Sequence, residues 1–219
     1  EWNDELFVKL GRAVGRIPRL SLQLQLPPEK DRQPWYACEY SRIPNPLPTG
    51  FHPGVAEAMQ TFTDKMRKLP TQPRHYGLVH RDIHASNFLY AHGEVQIIDF
   101  DLGGYGWRAM DLMLLLFAYY YYPSHRVHDA SPKLAGHVLA KMVEGYREEY
   151  VVDREQLELI SDLFKLREII IYVATVPAIQ HWQIAMGDPH PTVAESIAWI
   201  EKLWLEGTKL RVDISQVAL

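Results

Sequence analysis

The chain has 219 residues, 47% of them apolar, which is enough to bury a substantial core in one large domain. Its 23 basic and 27 acidic residues give a net charge of −4, which argues against nucleic acid as a partner. The single cysteine, Cys38, excludes an internal disulfide and favours a reducing, cytoplasmic compartment. No tract reaches the ~18 apolar residues that a membrane span needs, so no membrane partner is expected.

Helical periodicity dominates the first third of the sequence. The spacing of apolar residues predicts one helix over residues 4–17, ended by Pro18, and a second helix over residues 53–69. Between them, the proline-rich stretch 21–50 is predicted to be extended.

The middle of the chain is predicted to contain one β-hairpin. Strand-like runs at 88–90 and 95–99 flank the turn residues 91–94. Helical patterns return after a glycine-rich turn, and they cover residues 108–122, 131–149, 154–185 with a break near Pro177, and 192–208. Because strands and helices do not alternate, the predicted fold class is mainly α with a small β-hairpin (α+β).

Residues 80–111 are rich in polar side chains, and this segment contains two arginines, five carboxylates and no lysine. Carboxylates packed this closely repel one another unless a cation joins them. Asp and Asn oxygens are ligands that Mg²⁺ takes alongside phosphate oxygens. The predicted hairpin sets Asn87, at the start of one strand, beside Asp99, at the end of the next, so both side chains can reach one ion.

The order of these residues matches the chemistry of phosphoryl transfer from ATP. His80-Arg81-Asp82 is followed, after four residues, by Asn87, and Asp99-Phe100 comes twelve residues later. In H-R-D-x-x-x-x-N, the Asp orients the attacking hydroxyl and takes its proton, the Asn binds metal, and a following D-F Asp binds the metal that bridges the phosphates. The spacing therefore predicts an ATP- and Mg²⁺-dependent kinase.

Two other readings of the same residues stay open. His80, Asp82 and His84 could serve a dinuclear metal-dependent hydrolase, although that reading gives Asn87 no role. A kinase-like module that binds a partner without catalysis is also possible, but the intact Asp82, Asn87 and Asp99 speak against it.

The segments LVHRDIHASNFLY and VQIIDFDLGGYGWRAMDL resemble the catalytic core of the aminoglycoside phosphotransferase and choline kinase superfamily, which has a protein-kinase-like fold. The phrase IIDFDLGGYGW is most similar to the branch of bacterial stress-response Ser/Thr kinases and type II homoserine kinase-like proteins. The resemblance is tight over residues 78–112 and loose elsewhere, where Arg32-Gln33-Pro34-Trp35 resembles a family insert near the substrate side.

The resemblance implies a role for each matching position. Asp82 would be the catalytic base, and Asn87 and Asp99 the Mg²⁺ ligands. Leu89 and Ile98 would form the floor under the adenine. His80 would be a scaffold residue, and Asp111 would hold the catalytic loop, residues 80–87, through backbone N–H groups. Asp101 would be an outer-sphere metal partner or an orienting group.

The resemblance also implies a small N-terminal β-lobe with a phosphate-covering loop and a strand lysine, and no such pattern precedes Asp82. We therefore expect residues 1–219 to form the C-terminal catalytic and substrate-binding lobe, to need the N-terminal lobe as a partner, and to be inactive alone. The expected reaction transfers the γ-phosphoryl group of ATP to a hydroxyl of a small molecule such as an aminoglycoside, homoserine or another amino alcohol. A protein Ser/Thr acceptor is the alternative within the same fold.

Overall fold

The computed structural model describes residues 2–27, 31–38, 47, 51–121, 131–186, 198, 201–202, 204–206 and 212–218. They fall into two compact units, one formed by Glu1–Pro34, Pro70–Leu163 and Lys209–Leu219, the other by Trp35–Leu69 and Phe164–Thr208. In the part of the chain that the structure describes, helices predominate and the strands are short, which confirms a mainly α fold with minor β structure. Across the described residues, no helix combines the length and the apolar character that crossing a membrane requires.

The first unit is built around three helices, α1 (Asp4–Ser21), α3 (Ala109–Tyr121) and α4 (Pro132–Arg147). The Asn3 side chain accepts the Leu6 N–H at 2.9 Å and so caps the start of α1. Helix α3 is apolar on almost every side because it is buried, and its residues Leu112–Leu116 are at most 2% exposed.

Helices α1 and α4 approach each other closely because glycines lie at their contact. A Cβ on Gly11 would collide with the Met142 carbonyl oxygen, and a Cβ on Gly145 would collide with that of Val8. Side chains larger than hydrogen at these two positions would push the helices apart. On the adjoining surface, Arg12, Arg16 and Arg19 of α1 form ion pairs with Glu149 just beyond α4.

The first unit contains two antiparallel ribbons. Strand β1 (Tyr76–Val79) pairs with β4 (Gly104–Trp107), and β2 (Phe88–Ala91) pairs with β3 (Glu94–Ile97). Residues 80–87 connect β1 to β2 and residues 98–103 connect β3 to β4. Because β1 lies beside β4 and β2 beside β3, these two connections begin and end next to each other. This juxtaposition forms the candidate site.

The remaining helices are α5 (Arg154–Glu158) in the first unit, α6 (Ile160–Met186), which belongs to the second unit from Phe164 onward, and α2 (Val55–Arg67) in the second unit. A capping box between Asp153 and Gln156 begins α5. The second unit contains a ring cluster in which the Tyr172 hydroxyl accepts the His52 N–H at 2.6 Å and donates to Glu201 at 2.9 Å.

Several predicted boundaries were wrong. Helix α1 continues past Pro18 to Ser21, because a proline in the last turn removes only one helical hydrogen bond and the Pro18 carbonyl still accepts the Leu22 N–H. Helix α6 runs through Pro177 without the predicted break, and the interruption lies at Leu159 instead. The predicted turn at 104–107 is the strand β4, and most of the predicted helix 192–208 and of stretch 39–50 lies outside the described residues.

Candidate active site

Asp82 and Asn87 are held together at the heart of the candidate site. The Asn87 amide nitrogen Nδ2 donates to the Asp82 backbone carbonyl at 2.9 Å and lies 3.4 Å from the Asp82 carboxylate oxygen Oδ2. Asn87 is only 6% exposed, whereas the Asp82 side chain is 23% exposed. Because Nδ2 is engaged inside the loop, Oδ1 is the Asn87 atom left to bind a cation, which fits a hard ion such as Mg²⁺.

His80 is a buried support for the loop and is fully inaccessible. Its Nδ1 accepts the Asp82 N–H at 3.3 Å, so its Nε2 carries the proton that is donated to the Ile98 carbonyl at 2.9 Å. The ring also packs against Phe100 with centroids 4.5 Å apart. Both nitrogens are therefore committed to the fold, and His80 cannot ligate a metal as the hydrolase reading requires.

Asp111 anchors the same loop from the first turn of α3. Its two carboxylate oxygens accept the backbone N–H groups of His80 at 2.8 Å and Arg81 at 3.0 Å. The side chain is buried, and burial raises the pKa of Asp111 although the two amide donors act in the opposite direction. This carboxylate fixes the backbone immediately before Asp82.

Ile98, the residue before Asp99, is hydrogen-bonded to the connection 80–87 through both its N–H group and its carbonyl. The Ile98 N–H donates to the Asn87 carbonyl at 3.0 Å, and the Ile98 carbonyl accepts from His80. Asp99 itself is exposed and has φ of 64°, a left-handed conformation that costs free energy in residues other than glycine. An exposed carboxylate on a strained backbone, one residue after the Ile98–Asn87 hydrogen bond, suits a metal ligand.

Leu89 and Ile98 lie on one exposed face of the β2–β3 ribbon. Leu89 pairs with Gln96, so Ile98, two residues further, is its diagonal neighbour on that face. Their exposed fractions are 53% and 37%. The face offers an apolar surface of the kind that a nucleobase could cover.

The structure thus brings Asp82, Asn87 and the Ile98–Asp99 turn together by direct hydrogen bonds. Asp101 differs, because its contribution is a backbone carbonyl that accepts from Arg32 at 3.1 Å while its residue is exposed. Among the described residues, no three His, Cys, Asp or Glu side chains come together as a metal cluster, so a divalent ion held by Asn87 and Asp99 would take its remaining ligands from phosphate oxygens. The catalytic and ligand roles of all eight residues remain predictions.

Sequence reasoning gave two contributors too little weight. His84 accepts the Ser86 N–H with Nδ1 at 3.2 Å, so the proton is on Nε2, and this nitrogen lies 3.5 Å from Asp82 Oδ2. The H-x-D-x-H spacing was the available signal, but it was interpreted as a possible metal motif. The side chain of Phe100 contacts His80, and no local pattern in the sequence indicates that contact.

Comparison with known proteins gives concordant results. The model of the phosphotransferase enzyme family (APH) matches residues 3–169. The amicoumacin kinase of Bacillus subtilis (strain 168) is 32% identical over 173 residues, which are 78% of this chain and 51% of that protein. The chain therefore spans about half the length of this curated relative.

Solved structures show the same relationship. An amicoumacin kinase, hAmiN, in complex with AMP-PNP, Ca²⁺ and Ami superposes with a TM-score of 0.86 at 29% identity, covering 99% of this chain and 64% of that one. A microcompartment-associated aminopropanol kinase gives 0.62 at 18% identity, covering 95% and 65%. Choline kinase LicA from Streptococcus pneumoniae gives 0.57 at 13%, covering 92% and 64%, and these two likenesses concern the fold.

Proposed function

The chain belongs to the phosphotransferase enzyme family, and from this membership we propose that the whole protein transfers the γ-phosphoryl group of ATP to a hydroxyl of a small molecule. The observation that carries the proposal is the hydrogen-bonded unit of Asp82 and Asn87, with Asp99 next to it. Residues 1–219 would supply the catalytic and acceptor-binding lobe.

Asp82 would orient the acceptor hydroxyl and take its proton. Its backbone is fixed by Asn87 Nδ2 and His80 Nδ1, and its carboxylate oxygen Oδ2 lies 3.5 Å from the His84 nitrogen Nε2. These contacts limit the rotation of the side chain before an acceptor arrives. Placement of this kind, rather than covalent chemistry, supplies most of the acceleration in phosphoryl transfer.

Asn87 Oδ1 and the Asp99 carboxylate would hold Mg²⁺, which, when bound, neutralises charge on the transferring phosphates. The solved hAmiN complex contains a nucleotide analogue and Ca²⁺, which supports a nucleotide and a divalent ion in this family. Leu89 and Ile98 would support the adenine through their exposed apolar face.

The proposed acceptor is an amino alcohol of the size of an antibiotic or smaller. The names of the relatives support this class, since they include amicoumacin kinases and, on the same fold, aminopropanol and choline kinases.

The test measures ADP release by the whole protein with MgATP and a panel of amicoumacin, aminopropanol, aminoglycosides, choline, homoserine and a Ser/Thr peptide. We expect turnover with at least one small amino alcohol and a loss of at least about a hundredfold in kcat for Asp82→Asn. Asp64→Asn, an exposed carboxylate on α2, is the matched control. Turnover of the peptide alone would replace the proposal by protein kinase activity.

Two further results would contradict the proposal. Full activity of Asp82→Asn would remove the assigned role of that carboxylate. Hydrolysis of a model ester with Zn²⁺ or Mn²⁺ and no nucleotide would favour the hydrolase reading instead.

A further inference from the structure

Residues 31–34, called here the docked segment, lie against the connection that carries Asp99. The Gln33 carbonyl accepts the Tyr105 N–H at 3.1 Å, and Pro34 forms an isolated parallel bridge with Tyr105. The Tyr105 hydroxyl donates to Asp31 at 3.1 Å. A further hydrogen bond joins Arg32 to the Asp101 carbonyl. The docked segment therefore contacts both Asp101 and the first residues of β4.

Arg81 joins the docked segment to the same connection. Its guanidinium donates from Nε to the Leu102 carbonyl at 2.6 Å, from Nη2 to the Gly103 carbonyl at 3.5 Å and from Nη1 to the Gln33 carbonyl at 3.4 Å. An arginine fork can serve several carbonyls at once, which the single ammonium of lysine cannot do with the same geometry. One side chain thus links three backbone carbonyls from two separate segments.

The backbone conformation of Arg81 costs free energy for any residue other than glycine. Its φ is 68°, in the left-handed region that glycine adopts without strain and other residues do not. Gly104 has the complementary feature, since a Cβ there would lie 2.5 Å from the Gln33 carbonyl oxygen and 2.6 Å from Arg81 Cζ. An arginine where glycine would be unstrained, facing a glycine where a side chain would collide, indicates a specific contact.

The connection 98–103 is consequently fixed at both ends. At its start, Ile98 is bonded to Asn87 and His80. At its end, the carbonyls of Leu102 and Gly103 are bonded to Arg81. Asp99 lies between these anchors in a strained conformation, so loss of the second anchor would loosen the backbone that carries its carboxylate.

We propose that Arg81 is a positioning residue that, together with the docked segment, holds Asp99 in place to receive the divalent ion. The inference rests on the proposed role of Asp99 as a metal ligand and extends it to a residue that touches neither metal nor substrate.

The experiment measures binding of Mn²⁺ to the whole protein in the presence of ADP by electron paramagnetic resonance, together with Tm and the KM of the acceptor. The variants are Arg81→Gln, Arg81→Lys and Asp99→Asn. Arg147→Gln is the matched control, because Arg147 likewise donates to two backbone carbonyls, those of Ala218 at 2.5 Å and Val152 at 3.3 Å, away from the site.

We expect Arg81→Gln to weaken Mn²⁺ binding about tenfold, the lower end of the effect of residues that orient metal ligands. Arg81→Lys should recover part of that loss, and the acceptor KM should stay within about twofold, since the substitution acts on the metal. The Tm of Arg81→Gln should fall no more than that of Arg147→Gln, whose Mn²⁺ affinity should be unchanged.

Three results would overturn the inference, and they differ in what else they affect. Wild-type Mn²⁺ affinity in Arg81→Gln, with loss in Asp99→Asn, rejects the positioning role and leaves the proposed function intact. Wild-type affinity in Asp99→Asn rejects the ligand assignment and the inference with it. A large fall in Tm for Arg81→Gln, with Arg81→Lys no better in Mn²⁺ binding, assigns Arg81 a structural role only.

Discussion

Asp111→Asn tests how the catalytic loop is held. The native carboxylate accepts two backbone N–H groups, those of His80 and Arg81, with two different oxygens. Asparagine has one oxygen and one NH₂ group, so it can accept only one of these N–H groups and turns a donor toward the other. Because the site is buried, water cannot replace the missing acceptor.

The magnitude follows from this count. A hydrogen bond to a charged acceptor contributes about 1.5–3 kcal/mol, and an unsatisfied buried donor costs about 1–3 kcal/mol. Part of the loss is offset because burial already disfavours the charged carboxylate, whose pKa is raised. We therefore expect a loss of about 2–3 kcal/mol in the free energy of unfolding for Asp111→Asn, and about 3–5 kcal/mol for Asp111→Ala.

Urea unfolding followed by circular dichroism measures the loss of stability, and ATP turnover of the same samples measures the effect on activity. A loss of about 2–3 kcal/mol corresponds to a fall in Tm of roughly 4–12 °C in a domain of this size. Asp213→Asn is the control, because that carboxylate also accepts hydrogen bonds, two from Ser215 and one from Gln216, but on the surface. Equal stability of Asp111→Asn and Asp213→Asn would refute the assignment of Asp111 as a buried anchor.

Three other substitutions test the remaining parts of the structure. Gly145→Ala should lower the free energy of unfolding by about 2–3 kcal/mol in urea titrations, since its Cβ would collide with the Val8 carbonyl. The control Gly54→Ala, where the nearest atom is a His52 ring atom at 3.3 Å, should change it by no more than about 0.5 kcal/mol. A larger loss in Gly54→Ala than in Gly145→Ala would contradict the close helix contact. For Glu149, burial acts to raise the pKa, but hydrogen bonds from Arg16 and Arg12 and the charge of Arg19 outweigh it and lower the pKa. The stabilisation is therefore complete above the unfolded value of about 4.3 and is lost as pH falls through the lower folded value, so Glu149→Gln should flatten the dependence of stability on pH only below about pH 4.5; an unchanged acid limb would show that the three arginines contribute nothing there. Leu89→Ser should raise the KM for ATP about fivefold to tenfold at unchanged Tm, whereas Leu205→Ser, which is also about half exposed at 48%, should change neither quantity; an unchanged KM in Leu89→Ser would show that the exposed face of the ribbon does not bind the nucleobase.

Local features of the site could be predicted from the sequence because their signals are close together in the chain. The hairpin β2–β3 is marked by two strand-like runs around a short turn, and in the structure the strands extend one residue into the predicted turn 91–94, because Ala91 pairs with Glu94. The order of Asp82, Asn87 and Asp99 indicated kinase chemistry for the same reason, and family membership agrees with it. Helix α3 was recognised from its apolar run, although its burial on all sides depends on its neighbours.

The second ribbon could not be predicted in this way. Strand β4 has the sequence Gly-Tyr-Gly-Trp, and glycines in a short run indicate a turn more strongly than a strand. Its pairing with β1 is made by backbone groups, which carry no residue-specific signal. The tertiary structure overrides the local preference because the two glycines allow the close approach of Val79 and Arg81.

What the sequence by itself determined was the chemistry, namely the kinds of side chain present and their order around a hairpin. What only the tertiary structure decided was the support of that chemistry: Asp111 on the amides of His80 and Arg81, and Arg81 on the carbonyls of Gln33, Leu102 and Gly103. The physical reason is that these supports are hydrogen bonds to backbone atoms of residues between 21 and 48 positions away. Every residue offers the same backbone groups, so the folded chain alone selects which of them are used.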